Sequence, residues 1–248
     1  MIPSGDQPVA PVQPAPAPPA PGLVTNPFWD YQDLLAFISL IVPEVLITGL
    51  VVRLFRPFIH YGTPFLALLA QLVLYALIFC GLYALFRIRY GRPFWASLGW
   101  QFPFRGMAIT LFGGPLLAVG LGLLGALLRT PEVQPFQQML NNRPTLALFA
   151  LFGIFIGPLC EELAFRGFLM PLLIRSLGAA PGIVVTAVLF GMLHGPEYSW
   201  SWQLILLIAA AGSVFGWVRY KTGSTAASTF MHSAFNLTQF AGFLGQAH

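Results

Sequence analysis

Residues 64–86 read PFLALLAQLVLYALIFCGLYALF, without one charged side chain. At 1.5 Å of rise per residue this run spans about 34 Å as a helix, a little more than the roughly 30 Å hydrocarbon core of a bilayer. The stretch therefore reads as a membrane-crossing helix, and the rest of the chain follows the same logic. Of its 248 residues 57% are hydrophobic and only 8% charged, where a soluble domain carries about 25% charged residues. An ordinary soluble domain is excluded. Twelve Lys and Arg against eight Asp and Glu give a formal charge of +4. Most of the basic residues are isolated arginines at the ends of apolar runs, and no basic stripe follows a phosphate backbone, so nucleic-acid binding is excluded as well.

Working outward from 64–86, six further apolar runs stand between charges: 34–52, 107–128, 145–174, 181–194, 202–218 and 222–244. The fold class expected is all-α, a polytopic integral membrane protein of about seven (six to eight) transmembrane helices. Alternating the spans places Arg87, Arg89, Arg92, Arg105, Arg175, Arg219 and Lys221 on one side, and Arg53, Arg56, Arg129 and Arg143 on the other. The excess on the first side predicts a cytoplasmic N-terminus. Residues 1–27 hold nine prolines and no Lys or Arg, which predicts a disordered, polyproline-like tail rather than a signal peptide. The polar stretch 130–144 reads as a connector. Three parts are thus expected: the tail (1–27), N-terminal helices and connector (28–144), and a C-terminal core (145–248). Cys80 and Cys160 are too far apart in sequence for a CxxC pair and frame no disulfide scaffold.

Ionised groups inside a bilayer are costly, about 2.5–3.5 kcal/mol each at a helix centre on insertion scales, and mark function by default. Glu161, Glu162, Arg166, His194, His232 and Asn236 all fall within or at the end of apolar runs. Glu162 and Arg166, four apart, can pair on one helical face. Glu161 is turned about 100° from Glu162 and is free to meet a different environment, where desolvation suits a carboxylate to general-base work. His232 and Asn236 share a face by the same spacing. Counted from the proposed cytoplasmic ends, Glu161, His194 and His232 lie about 21, 24 and 17 Å deep, a common layer that fits one polar cavity. Glu44, after Pro43, reads as a paired or kink-associated carboxylate without a catalytic role. Glu197, with Tyr198, Trp200 and Trp202, reads as an interfacial aromatic belt. The small residues of 107–128 and of 223–228 read as close helix packing.

Glu161-Glu162 followed by Arg166 fits the pattern EExxxR, Phe190 with His194 fits FxxxH, and His232 with Asn236 fits HxxxN. In this order the chain, over about 145–244, resembles the CPBP intramembrane proteases, the family of CAAX prenyl proteases and bacteriocin-processing enzymes also called Abi. The resemblance implies an endopeptidase with a conical polar cavity in its C-terminal bundle, acting on a membrane-associated or lipid-modified, CAAX-like protein or peptide. It implies Glu161 and His194 as the residues that activate water, and His232 and Asn236 as oxyanion donors. Glu162 and Arg166 would support the site, with Phe190 packed beside it. Partners are the bilayer and a membrane-embedded substrate; location is a multi-pass membrane protein, the inner membrane in a bacterium.

Two alternatives use the same residues. Glu161, His194 and His232 are a conceivable ligand set for zinc or another divalent metal; the absence of an HExxH pattern and the poor ligand quality of Asn236 favour a site without cofactor. A non-proteolytic membrane protein, such as an immunity factor, chaperone or transporter, would use the cavity only for binding. The polar residues cluster in the last hundred positions with no counterpart in the first half, unlike the paired halves of many transporters.

Overall fold

The computed structural model describes residues 26–60, 62–102, 106–131 and 143–246. Most of the expected tail and connector, and Arg105, lie outside the described residues. Among the described residues seven long helices and one short one follow each other: α1 (Tyr31–Phe55), α2 (Thr63–Ala84, continued by a π turn over Leu85–Arg89), α3 (Phe94–Ser97), α4 (Met107–Leu127), α5 (Arg143–Leu177), α6 (Ala179–Leu193), α7 (Trp202–Thr222) and α8 (Thr225–Gln246). No strand occurs among the described residues. The helices containing α1, α2, α4, α5 and α7 are long and apolar enough to cross a membrane, and α6 is a shorter apolar helix. Their outward faces carry large bare hydrophobics such as Leu46, Ile88, Phe112, Leu116 and Leu127, which only a lipid solvent tolerates in such number. The chain is an all-α, multi-pass integral membrane protein.

Local signals set the helix ends. Asp30 caps α1 by accepting from the backbone N–H groups of Gln32 and Asp33, while the Asp33 carboxylate accepts from the backbone N–H of Asp30, a reciprocal capping box. Asp33 is fully buried and also accepts from Tyr90 Oη at 2.6 Å and pairs with Arg89 Nε at 3.1 Å, tying the start of α1 to the end of α2. Gly178, at φ +87°, turns α5 into α6, and Gly223, at φ +67°, turns α7 into α8. Both sit in a left-handed region that favours glycine. Contrary to the expected break at Pro43, α1 runs on through it. Glu44 is buried beside Gly81 of α2, and its Oε2 has no hydrogen-bond partner.

Contacts separate two rims. On one, Trp29 Nε1 donates to the Phe168 carbonyl of α5 at 3.0 Å, Arg175 donates to the Trp29 carbonyl, and Thr225 N–H donates to Gly99 O. This rim therefore gathers the start of α1, the ends of α2 and α5, and the start of α8. On the other rim Gln71, near the start of α2, reaches Glu197 beyond the end of α6. The first rim is sealed by an aromatic cluster of Trp29, Phe86, Phe94 and Phe168 with Leu98 and Leu172. A second core, Ala211, Phe215, Val218, Ala227 and Met231, joins α7 to α8.

Some of the small residues expected to pack closely do so, and others of the 107–128 run, such as Gly120 and Gly122, face open space. Serine and threonine at 224–225 bind the 98–101 backbone, and a Cβ on Gly114 would stand 2.5 Å from the Met231 carbonyl oxygen and 2.8 Å from Phe235 N. Helix α8 would have to move to accept it. Gly114→Ala is expected to cost about 1–3 kcal/mol, read as a lower melting temperature in detergent micelles. Gly120→Ala, where nothing stands within 4 Å of the added carbon, should melt no lower than the parent.

Candidate active site

Helix α5 carries the two glutamates and is not a regular helix. Two π segments, Phe152–Ile156 and Leu163–Leu169, bracket the α-helical stretch Gly157–Glu162. Proline contributes to the first. In a π turn the N–H of residue 158 would serve the carbonyl of Gly153, and residue 158 is proline, which has none. The Gly153 carbonyl accepts instead from Asn236 Nδ2 of α8 at 2.7 Å. A backbone irregularity in one helix thus holds a candidate side chain of another.

The 100° turn between successive residues separates the two glutamates as expected. The Glu162 side chain is 0% exposed and that of Glu161 13%. Glu162 Oε1 pairs with Arg166 Nη1 at 2.8 Å and with His232 Nδ1 at 3.1 Å. Arg166 is itself completely buried; its Nη2 donates to the Gly212 carbonyl of α7 at 2.9 Å, and its guanidinium lies 4.5 Å from the Phe190 ring centroid. Gly212 is needed there, because a Cβ would stand 3.0 Å from Arg166 Nη2. The His232 ring stacks on Phe215 at 4.6 Å with Phe190 edge-on at 5.9 Å. Held this way, His232 turns Nε2 toward Glu161, whose Oε2 is 3.8 Å away. That gap is too long for a hydrogen bond.

His194 ends α6, where its Nδ1 lies 2.8 Å from the Phe190 carbonyl one turn back. If Nδ1 carries the proton and donates to that carbonyl, Nε2 is left as the free lone pair. Glu161, His194, His232 and Asn236 line a single cavity of about 760 Å³, together with Phe190. Its remaining walls are mostly apolar and aromatic, including Phe149, Phe152, Phe235 and Phe243. It takes in residues of the rim that carries Gln71 and Glu197.

Four residues of this cavity region were not read as part of the site from the sequence. Glu197 and Tyr198 line the cavity, and Trp200 and Trp202 are exposed. Glu197 stands exposed at the cavity wall, with protein packed around part of its side chain. Desolvation by that packing pushes its carboxyl above the usual carboxylate range; the His194 imidazole pulls the other way and Glu161 adds to the rise. Gln71 donates to Glu197 Oε1 at 3.0 Å, and one helical turn on, Tyr75 Oη donates to Glu161 Oε1 at 2.7 Å. Polar residues four apart in an otherwise unbroken apolar run were the available signal.

Residues 143–238 match the family model for the Rce1-like type II CAAX prenyl endopeptidases. This segment is Rce1-like. The match agrees with the resemblance to CPBP intramembrane proteases, and at family level it supports an intramembrane endopeptidase of the CAAX type. No curated protein and no solved structure matches the chain. The Rce1-like segment holds all of the motif residues named above, from Glu161 to Asn236; Gln71 and Tyr75 lie outside it. Among the described residues no group of three His, Cys, Asp or Glu side chains is gathered closely enough to hold a metal ion.

Removing the cation from the buried pair should be far more harmful than removing the pair. Arg166→Met leaves Glu162 charged and sealed from water, and a loss of about 3–5 kcal/mol is expected, read as a fall in melting temperature in detergent. Adding Glu162→Gln to Arg166→Met should recover part of that loss, although neither partner is restored.

Proposed function

We propose that the protein hydrolyses a peptide bond in a membrane-associated or lipid-modified, CAAX-like substrate, using a water molecule activated by Glu161 with His194. The observation that carries this reading is the shared cavity: four side chains from three helices line one space within the helix bundle, with Glu161 reaching it and Glu162 closed off behind. Water bound between a carboxylate and an imidazole is oriented by both. Glu161 takes one of its protons as the oxygen attacks the substrate carbonyl carbon. The proton then passes to the amide nitrogen as the C–N bond breaks, giving a carboxylic acid and an amine without a covalent intermediate.

The carbonyl oxygen gains negative charge as the tetrahedral intermediate forms. His232 and Asn236 meet it as donors. Nδ1 of His232 faces the Glu162 carboxylate, so Nε2 is the nitrogen left for the oxyanion, which it meets when it carries a proton. Asn236 uses one N–H on the Gly153 carbonyl and keeps the other for substrate. Glu162, Arg166 and Phe190 hold these groups in place. The largely aromatic remainder of the cavity suits the apolar body of a lipidated peptide, and the surrounding bilayer concentrates such a substrate at the site.

The test is cleavage of a fluorogenic farnesylated peptide ending in a CAAX tetrapeptide, with the protein reconstituted in phospholipid vesicles. Glu161→Gln and His194→Ala are expected to lose about 10²–10⁴ in kcat, and Asn236→Ala about 10²–10³. Wild-type rates in Glu161→Gln and His194→Ala would sink the proposal. Activity is expected to survive exhaustive chelation. Complete loss with chelator, restored by zinc, would replace the cofactor-free arrangement by a metal-dependent one.

A further inference from the structure

The site as proposed rests on residues of α5, α6 and α8, all inside the Rce1-like segment. Helix α2 lies outside that segment, yet its Tyr75 makes the shortest polar contact of Glu161: Oη donates to Oε1 at 2.7 Å. A carboxylate has two oxygens and rotates freely about its last bond unless one of them is held. Here Oε1 is held by Tyr75, and Oε2 is the oxygen left facing His232 Nε2 across 3.8 Å. The phenol is itself fixed, its ring packed on Phe152 of α5 with centroids 5.0 Å apart. One turn earlier on α2, Gln71 binds Glu197 at the cavity wall, so the face of α2 that carries Tyr75 is attached to the site at two points.

We propose that Tyr75 is a positioning residue for the peptidase reaction. By occupying Oε1 it presents Oε2 of Glu161 to the attacking water, so that the N-terminal half of the chain completes a site otherwise built by the C-terminal half. The inference rests on the reading of Glu161 as the water-activating group. A hydrogen bond that only docked α2 would contribute to stability; one that orients a base changes turnover.

Tyr75→Phe separates the two. It keeps the ring against Phe152 and removes only the hydroxyl. In vesicles, with the farnesylated CAAX peptide, kcat is expected to fall about 10–100-fold, the range of a hydrogen bond to a charged group, while KM stays within about two-fold. Tyr83→Phe, an exposed tyrosine two turns further along α2 and away from the cavity, should turn over like wild type. An unchanged kcat in Tyr75→Phe, or a loss of kcat/KM carried wholly by KM, overturns the role of Tyr75. Glu161→Gln run alongside distinguishes the failures: if it is inactive while Tyr75→Phe is normal, only the Tyr75 inference falls. If Glu161→Gln still cleaves, the reading of Glu161 falls and the inference with it.

Discussion

Arg166 and Glu162 form an ion pair from which water is fully excluded, and the arrangement of the last four helices follows from satisfying it. Taking both charges out of water is expensive, and their mutual attraction offsets the penalty only if the remaining hydrogen-bonding capacity is used. The structure uses it across helices. The guanidinium reaches the Gly212 carbonyl of α7 and lies against Phe190 of α6, and the carboxylate takes His232 of α8. One pair on α5 thereby fixes three neighbours, and each of these contacts leaves little freedom: a side chain on Gly212 would crowd Arg166 Nη2 at 3.0 Å, and His232 is clamped between Phe215 and Glu162. Mid-membrane, where no water competes, such polar contacts specify a single packing more strictly than apolar surfaces that slide past one another.

Glu161 depends on that pair indirectly. Since Glu162 is committed to the interior, the helix must turn its neighbour toward the cavity, and since His232 is anchored at Nδ1, its other nitrogen is aimed at Glu161. The π segments on either side of the glutamates widen α5 locally and free backbone carbonyls; Pro158 removes the donor that would have used one of them, and Asn236 takes it. Irregular backbone at this depth is tolerable because protein groups re-satisfy it. The same economy of polar groups accounts for α2: an apolar helix with Gln71 and Tyr75 on one face must bury them against partners, and Glu197 and Glu161 are there.

Much of this was legible in the chain. Span positions follow from uninterrupted apolar length, so the ends expected for the third run, 107–128, differ from α4 by one residue. The pairing of Glu162 with Arg166 follows from helical geometry. Other features were not legible because they arise between helices distant in sequence. Pro43 and Glu44 suggested an interruption, but α1 passes through both. Glu197 sits among aromatic residues that by composition belong to an interface, and only the return of the chain over the end of α6 brings it to the cavity. Tyr75 carries no local mark beyond a hydroxyl in an apolar run.

What the sequence determined by itself is what depends on one helix at a time: the lipid environment, from the scarcity of charge; the number and length of helices, from apolar run lengths; and the face on which each polar group stands, from the 3.6-residue period. What only the tertiary structure decided is which oxygen meets which donor. Glu161 is held by Tyr75, 86 residues earlier in the chain, and Glu162 by His232, 70 residues later. Such partners are set by how the helices pack, because periodicity fixes the direction of a side chain around its own axis and carries no information about what stands opposite.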